Sequence, residues 1–118
     1  MADDTAMHVH VLRVRDHRIR CTDPVMVAGC FGHDAVVLDL DNEWEGLSVR
    51  VVIGEGEGAV EADWEGEPMV LPDEPLAEPG WLPVTVVGEA DGSRIVTEAA
   101  PHAFRVVEGG YVKEVSVS

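Results

Sequence analysis

The sequence predicts an all-β fold, a single-domain antiparallel β-sandwich, on three observations. Short runs in which apolar and polar residues alternate recur along the chain, whereas helical periodicity is nearly absent. Clusters of glycine, proline and aspartate separate these runs, as they do where tight turns join strands. Valine dominates the apolar residues, and its β-branched side chain packs well on a pleated surface. The 118 residues suffice for one domain and are too few for two ordinary ones.

The N-terminal part of the sequence predicts a hairpin. The first strand is expected at 7–14, where the apolar side chains change faces between Val11 and Leu12. That change indicates a bulge, or burial on both sides of the strand. A polar turn at Asp16 returns the chain into a second strand at 18–22.

The clearest alternation lies in the middle of the chain. Residues 35–41 form a predicted strand in which Leu38 and Leu40 face the interior. The runs 47–53 and 59–64 alternate in the same way, and a glycine-rich link between them predicts a hairpin.

The C-terminal part predicts a long strand at 81–87, with Val84 and Val86 facing inward. Pro83 indicates that this strand starts there or lies at a sheet edge, because proline has no N–H to donate. Before it, Pro79 is expected to fix the entry of the strand, and Gly80 to adopt a positive φ in a type II turn. Further strands are predicted at 25–28, 69–71, 94–97 and 103–107.

Some eight to ten short strands, spaced about 8–12 residues apart, predict an immunoglobulin-like or jelly-roll-like sandwich. The domain is expected to span 1–110, and 111–118 to form a C-terminal strand or the start of a further segment.

The charge balance excludes several classes of partner. Asp and Glu number 23 against 8 Lys and Arg, a formal net charge of −15, so nucleic acids and anionic lipids would be repelled. The cations cluster near the N-terminus, where they could meet an acidic partner, although a solvated strand face is the expected role. This cluster consists of Arg13, Arg15, Arg18 and Arg20.

The cellular context follows from what the sequence lacks. It has no run approaching the roughly 20 apolar residues of a membrane span, and no secretory signal at its start. A cytosolic origin is therefore expected. Cys21 and Cys30 could form a bridge across a hairpin, but reduced thiols are the expectation in a cytosolic protein.

The acidic residues suggest two kinds of site. Acidic side chains occupy every second position of one run, at Asp39, Asp41, Glu43 and Glu45. Such a run could provide the carboxylate pair of a glycoside hydrolase or the oxygen ligands of a calcium ion. The EF-hand loop requires glycine at its sixth position, where Trp44 stands, and the acids lie on a face expected to be wet. Solvated surface groups are the expected role.

The histidines offer a further metal hypothesis. His8 and His10 share one face of a strand and could bind a metal together, but zinc needs more ligands. His17, His33 and His102 are too scattered for the sequence to place, so surface histidines are expected. The serines lie in no nucleophile motif. Since the acidic run and the histidines are also expected to be surface groups, the sequence predicts no catalytic, metal or cofactor site, and hence no enzyme.

The three tryptophans allow two interpretations. Each of Trp44, Trp64 and Trp81 lies beside a turn, where a bulky ring commonly closes the end of a core, and we expect them to be core residues. The alternative is a carbohydrate-binding module in which exposed rings stack on sugars.

Several segments, in their order and spacing, carry a resemblance to a known family. They are VVLDLDNEWEGL at 36–47, VRVVI at 49–53, DWEG at 63–66, VLP at 70–72, LAEPGWL at 76–82, VTVVG at 84–88 and FRVVEGG at 104–110. Over roughly residues 9–110 the chain resembles the N-terminal domain of bacteriophage baseplate upper proteins and related tail-fibre proteins.

This resemblance implies a non-catalytic β-sandwich, made in the host cytoplasm, that attaches a receptor-binding fibre to the phage tail. It implies homo-oligomers or baseplate and tail proteins as partners, with neither nucleic acid nor membrane among them; a host glycan has no support in the sequence. Members of the family continue into a fibre, collagen-like or lectin segment, whereas this sequence stops at Ser118. The receptor-binding part is therefore expected to be missing, to be encoded elsewhere, or to have been removed from this chain.

Overall fold

A computed structural model describes residues 8–30, 32–72 and 76–110, and it confirms the prediction of an all-β sandwich in one domain. Short 3-10 turns at Asn42–Trp44 and Gly56–Gly58 connect strands in the described part of the chain. The strands are β1 (His8–Arg15), β2 (Arg18–Cys21), β3 (Val25–Val27), β4 (Asp34–Leu40), β5 (Ser48–Ile53), β6 (Val60–Trp64), β7 (Met69–Val70), β8 (Gly80–Ala90), β9 (Ser93–Val96) and β10 (Ala100–Val107).

The strands form two sheets of different size. The first sheet has the order β2-β1-β4-β7, and the second has the order β3-β10-β8-β5-β6, with β9 also pairing with β8. The expected antiparallel arrangement holds for most pairs, but β1 with β4 and β3 with β10 are parallel. The reason is connectivity: after the β1–β2 hairpin the chain crosses to the second sheet for β3 and returns to the first for β4. A crossover of this kind can join parallel strands, whereas a tight hairpin cannot.

The core lies between the two sheets and is built from alternate residues of each strand. Leu38, Val84 and Val86 face this interior and are buried, whereas Leu40 is partly buried and packs against its edge. Burial of each large apolar side chain stabilises the fold by about 1.5–3 kcal/mol. The other buried apolar residues of the core are Leu12, Val14, Met26, Val36, Trp44, Val49, Val51, Ile53, Leu71, Leu76, Leu82, Phe104 and Val106.

The change of faces in β1 was expected to reflect a bulge or burial on both sides of the strand, and neither is present. The register between β1 and β4 runs without a break from the pair His8–Asp34 to the pair Val14–Leu40. On the inner face of β1, His10 precedes Leu12 and Val14. The apolar residues therefore change faces along the strand, although the backbone continues without a bulge. Val9 lies on the outer face and is exposed.

Pro83 lies inside a central strand, which corrects the prediction of an edge position or a strand start. β8 has β10 on one side and β5 on the other. The backbone groups of Pro83 face β5, just past the last β5–β8 pair, Ile53–Val84, so its missing N–H leaves no bond of the regular ladder unmade. Its carbonyl accepts a hydrogen bond from the Gly54 N–H at 2.8 Å.

The entry to β8 has the backbone that its glycine allows. Gly80 begins the strand with φ +145°, a conformation that favours glycine, and Pro79 precedes it on the exposed surface. Cys21 and Cys30 are free, partly buried thiols. The segment predicted at 111–118 lies outside the described residues.

One end of the sandwich is closed by Trp44, at the end of the 3-10 turn after β4. Its ring is only 3% exposed and packs on the backbone of Gly88 in β8. A Cβ atom at Gly88 would lie 2.8 Å from the Trp44 ring and 2.9 Å from Leu47, so only glycine leaves room for the ring. We call this region, Trp44 with Leu47 and Gly88, the Trp44 end.

The β1–β2 turn adjoins the Trp44 end through polar contacts. Asp16 and His17 have φ values of +52° and +65°, as in the mirror-image hairpin turns that asparagine and glycine favour. The Asp41 carboxylate accepts a hydrogen bond from the Asp16 N–H at 3.3 Å, and the Glu43 carboxylate lies 2.7 Å from His17 Nε2. These contacts hold a turn whose residues are not the preferred ones.

Candidate functional site

The outer surface of the second sheet carries an exposed apolar patch centred on a tryptophan. Trp81, in β8, is 53% exposed, and Val25 and Val27 in β3, on the far side of β10, are also among the exposed large hydrophobic residues. Arg105 completes the patch on the same face. We call these four residues the Trp81 face.

The sheet register sets the order of side chains across the Trp81 face. Arg105 in β10 pairs with Val25 on one side and with Trp81 on the other, so the three side chains form a row across three strands. The Arg105 guanidinium lies 5.7 Å from the centroid of the Trp81 ring, within the range of a cation–π interaction. The ring of His102 lies 4.7 Å from the same centroid. The tryptophan is therefore held by a cation and a second ring while much of its surface stays in water.

This position corrects the expectation that Trp81 is a core residue. Leu82, Val84 and Val86 face the interior, so strict alternation points Trp81 outward, and its proximity to a turn was misleading. The other two tryptophans differ from it: Trp44 is buried, and Trp64, on the edge strand β6, is partly buried against the core.

The outer surface of the first sheet carries the four clustered arginines. Arg13 pairs across the β1–β2 hairpin with Arg20, and Arg15 pairs with Arg18, so like charges lie directly opposite one another. The Asp39 carboxylate, on the next strand, lies 3.3 Å from Arg13 and 3.2 Å from Arg15 and offsets part of this repulsion.

The acidic run does not gather around a single point. Asp39 contacts the arginines, whereas Asp41 and Glu43 contact the β1–β2 turn. Glu45 is exposed. Among the described residues, neither of the two side-chain groups with metal-binding geometry includes any of these acids. The structure thus distributes the run over ion pairs and a turn.

A cluster of histidines and aspartates lies at the end of the sandwich where β1 and β4 begin. His8 and His10 come from β1, Asp34 starts β4, and His33 immediately precedes it. Asp23, from the loop before β3, approaches from the other side. Two triads in this cluster bring their ligand atoms within 4.8 Å of one another: His8, His33 and Asp34, and His8, His10 and Asp23.

The buried pair of this cluster shares a proton. His10 is fully buried, and its Nδ1 lies 2.6 Å from the Asp23 carbonyl oxygen, which can only accept, so Nδ1 carries a hydrogen. Its Nε2 lies 2.8 Å from Asp34 Oδ1, and this bond requires one further proton, on either the imidazole or the carboxyl group. The other Asp34 oxygen, Oδ2, is buried and has no hydrogen-bond partner among the described residues.

The expectation of surface histidines is wrong for His10, which is buried, whereas His8 is half-exposed and His33 and His102 are exposed. A sequence signal was present. His10 alternates with Leu12 and Val14, and Asp34 alternates with Val36 and Leu38, which places both polar residues on the inner face.

Comparison with known proteins does not place the chain in a family: no family model matches it, and no curated protein matches its sequence. Within the described ranges, no helix has the length and apolar character needed to cross a bilayer.

Proposed function

We propose that this chain is a non-catalytic attachment domain of a bacteriophage tail, which binds another structural protein of the virion through the Trp81 face. The observation that carries the proposal is the 53% exposure of Trp81 within a patch of exposed valines. The resemblance of the chain to the N-terminal domains of baseplate upper and tail-fibre proteins suggests where it acts, in a virion assembled in the host cytoplasm.

The chemistry of the Trp81 face supports protein binding. Tryptophan and arginine are the residues that most often dominate the free energy of protein–protein interfaces, and here Trp81 and Arg105 are adjacent. Exposed valines beside them would be desolvated by a flat apolar partner surface. Because the ring is already oriented by Arg105 and His102, little side-chain freedom is lost on binding.

Net charge favours a different protein over a second copy of this chain as the partner. Each copy carries a formal charge of −15, so two copies repel one another unless cations intervene. A partner with a neutral or basic rim around an apolar centre suits the Trp81 face better. Self-association is the other outcome that binding experiments would reveal.

The direct experiment measures binding of the purified chain to the tail and baseplate proteins encoded near its own gene, by surface plasmon resonance. We expect one of them to bind, and Trp81→Ala to weaken that binding at least about 30-fold, as for an interface hot spot. Val70→Ala is the matched control, because Val70 is exposed to a similar degree (49%) on the other sheet. Failure of every such protein to bind, or equal binding by Trp81→Ala, would overturn the proposal.

A carbohydrate-binding module is the second candidate, because the exposure of Trp81 is the feature that a sugar-stacking platform needs. Arg105 and His102 already contact this ring, which leaves less of it free for a sugar. Titration with cell-surface oligosaccharides, followed by tryptophan fluorescence, separates the two functions. A saturable change that disappears in Trp81→Phe would support the carbohydrate function, and an unchanged spectrum supports protein attachment.

A further inference from the structure

We propose that His8, His33 and Asp34 form a binding site for a divalent transition metal, with Zn²⁺ the best match. Asp23 and His10 act as positioning residues that hold two of the ligands. The three ligand side chains bring one atom each within 4.8 Å of the others. Asp34 is buried, His8 is half-exposed and His33 is exposed, so the site opens to solvent on one side.

The orientation of His8 leaves a lone pair facing Asp34. Its Nε2 lies 2.5 Å from the Asp23 carboxylate, which accepts the hydrogen that Nε2 carries. In the neutral ring, Nδ1 is then an acceptor, and it faces Asp34 Oδ1 at 3.7 Å. Two acceptors facing each other at this distance are stabilised by a cation between them. A carboxylate that fixes the far nitrogen of a ligating histidine is also the common arrangement around protein-bound zinc.

Asp34 is prepared in the same way. Its Oδ1 is held by buried His10, whose other nitrogen is held in turn by the Asp23 carbonyl. Its Oδ2 is buried without a partner among the described residues, although an unpaired buried carboxylate oxygen costs the fold free energy. A metal ion contacted by both oxygens of this carboxylate would remove that cost.

The distances fit zinc better than a larger ion. With metal–ligand bonds of about 2.0–2.2 Å, two ligand atoms of a tetrahedral zinc ion lie roughly 3.3–3.6 Å apart, close to the 3.7 Å between His8 Nδ1 and Asp34 Oδ1. The ligand atom of His33 lies within 4.8 Å of the other two, and its side chain is exposed. Two imidazoles and one carboxylate favour zinc over calcium or magnesium, which prefer oxygen ligands. The formal charge of −15 also raises the local concentration of cations.

The second triad, His8, His10 and Asp23, is the weaker alternative. Both nitrogens of His10 are already hydrogen-bonded, one to the Asp23 carbonyl and one to Asp34, so binding a metal would break a buried contact. The two triads differ in His33 and in the His8 nitrogen that would bind, and both differences can be tested.

The experiment is a titration of the intact chain with Zn²⁺ in competition with a chromophoric chelator. We expect one ion per chain and a higher melting temperature in its presence, because an ion that binds only the folded chain stabilises it. His33→Ala should weaken binding by roughly 100-fold or more, since it removes a ligand, and Asp23→Asn by about 10-fold, since it loosens His8. His102→Ala, an exposed histidine in contact with Trp81, should bind as the unsubstituted chain does.

Histidine ¹⁵N spectra provide a readout that does not depend on affinity. Zinc should shift the Nδ1 resonance of His8, whereas the alternative triad would shift Nε2, because Nε2 faces Asp23. The proposal would be overturned if the unsubstituted chain could not take Zn²⁺ from the chelator. It would also be overturned if His33→Ala bound Zn²⁺ as tightly as the unsubstituted chain. Circular dichroism of each variant establishes that it is folded; if Asp23→Asn unfolds, His33→Ala alone decides, because its side chain is exposed.

Discussion

The Trp44 end and the Trp81 face are built around the same type of side chain, and the two rings have opposite environments. Trp44 is 3% exposed and packs against a glycine that leaves just enough room for it, whereas Trp81 is 53% exposed and contacts an arginine and a histidine. Proximity to a turn is common to both. What separates them is the direction that each local backbone gives to its side chain.

The comparison assigns a different role to each region. The buried ring contributes to the stability of the sandwich, because its apolar surface is removed from water. The exposed ring leaves most of its surface unburied, so the free energy of desolvating it remains to be gained by binding. Substitutions at the two positions should therefore affect different measurements.

The largest expected effect is on stability at the Trp44 end. Trp44→Ala should lower the free energy of unfolding by about 3–5 kcal/mol, because it leaves a cavity between the sheets. Trp81→Ala should lower it by less than about 1 kcal/mol, because an exposed surface position contributes little to the core. Urea denaturation of both variants measures the difference. Equal losses would show that the two rings do not differ as the structure indicates.

An intermediate effect is expected from filling the space over which Trp44 packs. Gly88→Ala would place a methyl group 2.8 Å from the Trp44 ring and 2.9 Å from Leu47. Displacing that ring should cost about 1–3 kcal/mol, the usual range for overpacking. Gly110→Ala is the control, because a Cβ there has no neighbour within 4 Å. Thermal unfolding of the two variants tests this packing, and equal melting temperatures would contradict it.

The smallest effect concerns the turn attached to the Trp44 end. Hydrogen bonding to the Val96 carbonyl, and then to the Glu43 carboxylate, raises the pKa of His17 above its ordinary value of 6.5. A raised pKa in the folded state means that protonation favours folding. This contribution is complete below pH 6.5 and is lost as the pH rises through the folded-state pKa.

His17→Asn tests this linkage, because asparagine tolerates the positive φ of the turn but does not titrate. We expect the melting temperature of the unsubstituted chain, relative to this variant, to fall as the pH is raised from about 6 to about 8. A difference that stays constant over that range would show that the His17 contacts do not couple to folding.

Much of the fold could be predicted from the sequence, because alternation has a direct physical cause. Val49, Val51 and Ile53 repeat at every second position, so the sheet that buries one of them buries all three. The two-residue turn at Asp91 and Gly92 joins β8 to β9, and Gly92 supplies the positive φ of this turn.

The predictions from sequence failed where contacts between residues that are distant in sequence determine the structure. Pro83 is tolerated in a central strand because its backbone faces the end of β5, just beyond Ile53, and β5 lies far from Pro83 in sequence. The histidine–aspartate cluster was not predicted, because its histidines were expected to lie on the surface although His10 occupies an inner position of its strand. His10 and Asp34 satisfy one another only after β1 and β4 have paired in parallel, which their local sequences do not specify.

The position of β10 between β3 and β8 has a consequence for how the protein is made. Among the described residues, β3 pairs within its sheet only with β10, so Val25 must wait for Arg105, about 80 residues later, before it acquires this neighbour. At the usual speed of translation that interval lasts roughly 4–16 seconds. Until the ribosome has completed β10, Met26 lacks the strand that pairs with its own, and a nascent chain released early would expose it to aggregation.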